Sequence, residues 1–489
     1  MVTSAVLRGV DAVPVEVEVA ISDGIPSFGI VGMADAAVQE SRERVRAALK
    51  ASGYDMPASR IVVNLAPSAL KKTGSGFDLA IAVALLAATK QIDAKLCEGA
   101  LYVGELSLDG RVRPVDGLLA YALCARSLGV RMVCACAPER LLEIKGLEQL
   151  GLRAIGDLKR AAFVDMEFRE VQGFAARSDY ADVAGNEIAK RAIQIAAAGN
   201  HGLLMMGPPG SGKTMLASRV ASVLPELAYE EKLEAALIHS VAGESIEGIL
   251  AGGRPFRAPH HSSSVAGLVG GGTPVRPGEI SLAHNGVLFL DELAEFKPSV
   301  LQSMRQPMEQ GQVTITRADG TITFPARFML IAASNPCPCG YFGDKQMECS
   351  CTVSQINAYQ NRIGGPLMDR IDMHIDVARI PPADVLQMRT GTDSASMREG
   401  VLSAREYASW RKSRYEIDST PKSLVESCRL GDAEQAFFEK AALKNHMSGR
   451  AIVRTLSVAR TIADIEQRLE VGNADLCEAL SFRLREEVY

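Results

Sequence analysis

Gly207, Pro208, Pro209, Gly210, Ser211, Gly212, Lys213 and Thr214 form an unbroken run between the apolar Gly202-Leu-Leu-Met-Met206 and the helix-forming Met215 to Leu224. Glycines at these spacings let successive backbone N–H groups close on phosphate oxygens. The lysine then supplies a point charge to the β- and γ-phosphates, and the threonine hydroxyl can ligate Mg²⁺. ATP and Mg²⁺ are therefore the expected cofactors. Gly286-Val-Leu-Phe-Leu-Asp-Glu292 is an apolar run ending in two carboxylates. About 70 to 90 residues after a phosphate loop, such a pair is expected on a strand beside the loop's own strand in a parallel sheet. Asp291 would hold Mg²⁺ with Thr214, and Glu292 would polarise the attacking water. Asn335 follows the apolar Phe328-Met-Leu-Ile-Ala-Ala-Ser334, and its amide is expected to orient that water.

Two arginines complete what an AAA+ ATPase site requires. Arg370, in Gly365-Pro-Leu-Met-Asp-Arg-Ile-Asp372, is expected to act as a finger on a neighbour's nucleotide, and Arg450, in Ser448-Gly-Arg450 at a helix start, to sense nucleotide from a lid. A finger supplied by a neighbour requires a closing, heterologous ring. Immediately after Asn335 come Cys337-Pro-Cys339 and Cys349-Ser-Cys351. Four thiolates in one loop can make a tetrahedral structural Zn²⁺ site, and reduced thiols are the alternative reading. Cys134 and Cys136, alternating on an apparent strand, read as core packing.

Contacts to nucleic acid would have to be local, because the formal net charge is -5. Phe256-Arg-Ala-Pro-His-His-Ser-Ser-Ser264, followed by Gly270-Gly-Gly272, is an insertion able to line a ring pore. Val313 to Phe324 reads as a hairpin with Arg317 near its tip. Arg257, His260, His261 and Arg317 are thus candidates for sequence-independent phosphate contacts. The competing reading is that these loops are structural or bind a protein.

These residues need a scaffold, and 489 residues allow two or three domains. With 47% hydrophobic and 23% charged residues, a full core is expected. The boundaries are read as an α+β domain over 1–167, a polar linker over 168–182, an α/β phosphate-loop core over 183–380 and a helical domain over 381–489. In the first block, Val15 to Ala20 and Arg60 to Leu65 read as strands, and Ala36 to Ala51 and Asp78 to Thr89 as helices. In the last, Ser448 to Leu469 reads as a helix. The N-terminus lacks the pattern of a secretion signal and the longest apolar run is short of a membrane span, so a cytoplasmic protein without a membrane partner is expected.

The chain resembles the YifB/ComM family of magnesium-chelatase-like AAA+ ATPases over essentially its whole length. The motifs above carry the resemblance, together with Gly24-Ile-Pro-Ser-Phe-Gly-Ile-Val-Gly32 and Ala66-Pro-Ser-Ala-Leu-Lys-Lys72. It implies a hexameric ring that moves on DNA as a branch-migration helicase during natural transformation. A chelatase- or chaperone-like ATPase remodelling a protein client is the alternative, although no Asp-x-Ser-x-Ser run is present. Gly76-Phe-Asp-Leu-Ala-Ile-Ala-Val-Ala84 and Val103 to Pro114 resemble the Lon protease fold, of the ribosomal S5 domain 2-like kind. The chain departs from that protease where its lysine should fall, at Ala120 and Tyr121. Ser75 is adjacent to the expected serine position, with Lys71 or Lys72 as a conceivable base, but adjacency in sequence does not supply the required geometry, so a non-proteolytic role in assembly or in gripping DNA is expected.

Overall fold

The computed structural model describes residues 1–168, 178–317, 320–344, 346–380, 391–418 and 420–483. The expected strands and helices of the first block appear as Asp11–Ser22, Arg60–Ala66, Ala36–Ala51 and Asp78–Ala88. They belong to an eight-stranded mixed sheet in the order Val164–Asp165, Gln149–Leu152, Arg131–Ala135, Ala100–Tyr102, Val2–Arg8, Asp11–Ser22, Arg60–Ala66, Ser27–Val31. Successive side chains of a strand face opposite ways, and both faces are covered here. Val2 and Val6 join the core under Ala36–Ala51 and Asp78–Ala88, and Ala5 joins that under Leu118–Leu128. Asp78–Ala88 is apolar all round because it is enclosed. Its one charge, Asp78, is neutralised by Arg44 at 2.6 and 3.0 Å. Cys134 is core, as expected, but Cys136 lies past the strand end and is exposed, which corrects its reading as packing.

The second sheet has five parallel strands, in the order Phe256–Arg257, Val287–Leu290, Met329–Ser334, Leu203–Met206, Met373–Asp376. Parallel strands covered on both sides are apolar at every position. Leu203, Met205, Phe289 and Ile331 face one core, while Leu204, Met206, Leu288 and Leu290 face the other. The carboxylate-bearing strand Val287–Leu290 is therefore not beside Leu203–Met206, as the sequence suggested. Met329–Ser334 pairs with both and separates them.

The C-terminal helices Ser394–Arg414, Gly449–Ile465 and Asn473–Ser481 supply Val401, Leu456, Val458, Ile462 and Leu476 to the same core as the sheet. The Ser448 hydroxyl caps Gly449–Ile465 by accepting from the Ala451 N–H. Most of the expected linker, and the boundary at 380/381, lie outside the described residues. At the linker's far end Tyr180 is buried and its hydroxyl donates to the Leu216 carbonyl at 2.7 Å, so this end is built into the second block.

The two blocks share a seam. Leu118–Leu128 packs on Tyr229–Ala242, with Leu118, Leu119, Ala235 and Ala236 in one core. The Gly117 N–H donates to the Ser240 carbonyl at 2.7 Å. Among the described residues, no helix is long and apolar enough to cross a membrane.

Candidate active site

The apolar strand Leu203–Met206 delivers the chain to Gly207, where a Cβ would lie 2.2 Å from the Val377 carbonyl oxygen, so only glycine fits. Gly210 and Gly212 hold φ values of 77° and 91°, which glycine adopts without steric cost. A helix begins at Lys213, and its first-turn N–H groups have no intrahelical partner. Lys213 Nζ donates to the carbonyls of Gly207 and Pro208 at 2.8 and 2.9 Å and lies 3.4 Å from Asn335 Oδ1. Burial pushes the Lys213 pKa down, against the opposing pull of Asp291 and Glu292. Thr214 Oγ1 donates to Asp291 Oδ2 at 2.7 Å. Lys213, Thr214, Asp291, Glu292 and Asn335 thus meet at the C-terminal ends of three strands, where ligands bind in open parallel sheets.

Glu292 sits in the left-handed region at φ 51°, an uncommon place for a non-glycine residue. Its carboxylate lies 3.1 Å from His261 Nδ1, and the His260 and His261 rings are 4.0 Å apart. His261, a candidate pore contact by sequence, has its ring against the Glu292 carboxylate. Arg257 is likewise engaged within the chain. Its half-buried guanidinium is closed by Glu279 at 2.6 and 2.8 Å and by Glu244 at 2.9 and 3.3 Å, and a phosphate would have to displace two carboxylates to reach it. His260 remains exposed beside Ser262. Arg317 is exposed on the hairpin formed by Gln312–Arg317 and Gly320–Pro325, where it donates to Thr273 Oγ1 at 3.2 Å. The hairpin leans on the first sheet, since a side chain at Gly9 would meet Ile322 Cγ2 at 2.8 Å.

Arg370 and Arg450 converge on one residue absent from the sequence reading. Glu309 Oε1 accepts from Arg370 Nη2 at 2.8 Å and from Arg450 Nη2 at 2.6 Å. Arg370 Nη1 also donates to the Pro366 carbonyl at 2.6 Å. Among the described residues, the hydrogen-bond partners of the two guanidiniums are Glu309 and the Pro366 carbonyl, not residues 207–214. Glu309 lies in the short helix Arg305–Gln310 with no spacing that marks it, so only the fold identifies it.

The sequence as a whole has counterparts among known proteins. The family described as magnesium chelatase, subunit ChlI, matches residues 179–385; the description subunit ChlI of Mg-chelatase matches 17–137, and the ChlI C-terminal description matches 391–483. The YifB protein of Salmonella typhimurium is 41% identical over 484 residues, covering 97% of this chain and 95% of its own. Competence protein ComM of Haemophilus influenzae is 40% identical over 495 residues, covering 99% and 97%. Protein Rv2897c of Mycobacterium tuberculosis is 41% identical over 500 residues, covering 98% and 97%. The chain belongs to the YifB/ComM family of magnesium-chelatase-like proteins.

In this family member the N-terminal serine and lysine do not form a dyad. The Ser75 hydroxyl bonds Glu105, and the buried Lys72 ammonium bonds the Pro67 carbonyl. Burial lowers the Lys72 pKa, but no nucleophile accompanies it in its hydrogen bonding. The four cysteines expected to cluster do so, with their sulfurs all within 4.8 Å of one another.

Proposed function

We propose that this YifB/ComM-family chain is an ATP-hydrolysing AAA+ motor that assembles as a ring, hexameric in our reading, and moves on DNA in uptake and recombination. The observation that carries the ATPase is the convergence of Lys213, Thr214, Asp291, Glu292 and Asn335 at one sheet edge. The backbone N–H groups of Gly210, Gly212, Lys213 and Thr214 receive the phosphates, with the Lys213 ammonium as counter-charge to the β- and γ-oxygens. Thr214 and Asp291 offer hard oxygens already 2.7 Å apart, a donor pair suited to Mg²⁺, which keeps several waters of its own. When bound, Mg²⁺ neutralises charge on the β- and γ-phosphates. Glu292 polarises the lytic water, held in orientation by His261, and Asn335 fixes that water against the γ-phosphate.

Arg370 and Arg450 gather on Glu309, which supports a role for both on a neighbouring subunit's nucleotide. Ring closure then follows, because each active site is incomplete without the next subunit. The N-terminal domain, Lon-protease-like in our reading over 1–167, serves as a non-proteolytic assembly module, supported by its shared core with Tyr229–Ala242. The remaining divisions of the chain, 183–380 and 381–489, act as motor core and lid.

DNA as the track is supported by the printed name of the Haemophilus relative, a competence protein, and by the exposed His260 and Arg317. The reading of a protein client draws support from the closure of Arg257 by carboxylates and the placement of His261 on Glu292, which leave fewer cations for phosphates. ATPase rates of the wild type and Glu292→Gln, with single-stranded, duplex and four-way-junction DNA at two salt concentrations, decide between them. Stimulation that requires Glu292 and fades with salt is the expected result. An ATPase indifferent to every DNA would replace the track with a protein client.

A further inference from the structure

Between Asn335 and the helix Val353–Gln360 the described chain has neither helix nor strand. Connections longer than about 12–15 residues without secondary structure are uncommon in compact domains and call for a staple or a function. The buried Cys337 is part of such a staple. Its Sγ lies 3.3 Å from Cys339 Sγ and 3.7 Å from Cys349 Sγ, and the latter two are 3.5 Å apart. A tetrahedral ion with Zn–S bonds of ~2.3 Å requires sulfur–sulfur edges of about 3.8 Å.

Backbone donors are aimed at the sulfurs. The N–H groups of Cys339, Phe342 and Cys351 point to Sγ of Cys351, Cys337 and Cys349 at 3.4, 3.3 and 3.4 Å. Donors so placed favour thiolates, and clustered thiolates repel unless a cation sits among them. The cysteines are free of disulfides.

The knuckle also touches the hydrolytic machinery. Its first cysteine is two residues after Asn335, whose Oδ1 lies 3.4 Å from Lys213 Nζ. Gly340, at φ 85°, abuts the phosphate loop so closely that a Cβ there would lie 2.6 Å from Pro209 Cδ. Gln360 holds the Pro336 carbonyl at 3.0 Å. At the other end Asp344, almost wholly buried, pairs with Arg379 at 3.2 Å, beyond the strand Met373–Asp376.

We propose that Cys337, Cys339, Cys349 and Cys351 bind one structural Zn²⁺ and that the closed knuckle is a positioning element for hydrolysis, holding Asn335 and Pro209 in register with Lys213. The positioning part rests on the ATPase reading; the metal site does not. Four protein ligands leave no open position, so the ion takes no part in the chemistry. Loss of the metal therefore lowers kcat and leaves nucleotide affinity nearly unchanged, because the loop glycines and Lys213 remain.

The test uses the full chain purified without chelator. Elemental analysis of the wild type should find one zinc per chain and no iron. Cys339→Ser/Cys351→Ser should lose the zinc and about tenfold or more in kcat, with the Kd for a fluorescent ATP analogue changed less than about threefold. Cys136→Ser, outside the cluster, should match wild type in both. Should the double variant fail to fold, zinc is instead stripped from wild type with a mercurial and restored with dithiothreitol and Zn²⁺, and kcat should fall and recover in step. Wild type without zinc, or zinc-free protein with full kcat, overturns the proposal. A chain that carries zinc but never hydrolyses ATP would refute the ATPase reading and, with it, the positioning role, while the metal site itself would stand.

Discussion

Arg370→Ala should inactivate a ring in which every subunit carries it, and the loss should be rescued by a partner that is itself dead. An arginine finger is worth about 10³-fold or more in turnover. Glu292→Gln removes the water-polarising carboxylate but retains Arg370, Arg450 and Glu309. In an equal mixture, an interface is competent when an intact site on an Arg370→Ala subunit faces an intact finger on a Glu292→Gln subunit. Random placement around a ring makes this about one interface in four, so the mixture should regain roughly a quarter of wild-type ATPase from two nearly silent components. Because Arg450 shares Glu309 Oε1 with Arg370, at 2.6 and 2.8 Å, Arg450→Ala should complement in the same way. Phosphate release would be measured after preincubation long enough for subunit exchange. Rates that merely add the two residual activities would refute action across the interface.

Three further outcomes follow from the same geometry. His261→Ala frees Glu292 from its partner at 3.1 Å and should lower kcat about tenfold, the ~1.4 kcal/mol scale of one charge-assisted hydrogen bond, with KM within about twofold; a changed KM with intact kcat would contradict this. Asp464→Asn uncovers the buried Arg411 and Arg460, which lie 2.8 and 3.1 Å from its carboxylate. It should cost about 3–5 kcal/mol by urea unfolding, and a loss below about 1 kcal/mol would show the cluster to be solvated. Burial holds His201, His239 and His284 below the ordinary histidine pKa. As pH falls through about 6.5 the unfolded chain takes up protons that these folded histidines refuse, so each site costs up to ~1.4 kcal/mol of stability per pH unit. The thermal midpoint should drop between pH 7.5 and 5.5 and drop less in His201→Gln; a midpoint that rises on acidification would exclude this sign.

The proposed phosphate loop was legible in the sequence because its motif lies within eight consecutive residues, Gly207 to Thr214, which largely set their own backbone geometry. The apolar runs before Gly207, Asp291 and Asn335 announced buried parallel strands for a similar reason, since burial on both faces demands apolar residues at every position. The cysteine pairs were equally visible as local spacing. Other relationships join residues far apart in the chain, and no local pattern encodes them. Met329–Ser334 lies between the two strands expected to be neighbours because strand order is a choice of crossover connections. Arg257 and His261 carry charge and imidazole suited to phosphates, yet the fold sets the carboxylates of Glu279 and Glu292 against them. Glu309 has no motif at all. It acquires its place only when the helix Arg305–Gln310, the turn that carries Arg370 and the first turn of Gly449–Ile465 bring one carboxylate between two guanidiniums. The sequence by itself thus determined the local chemistry, and the tertiary structure decided which distant charges neutralise one another, because that depends on how the sheets and helices pack.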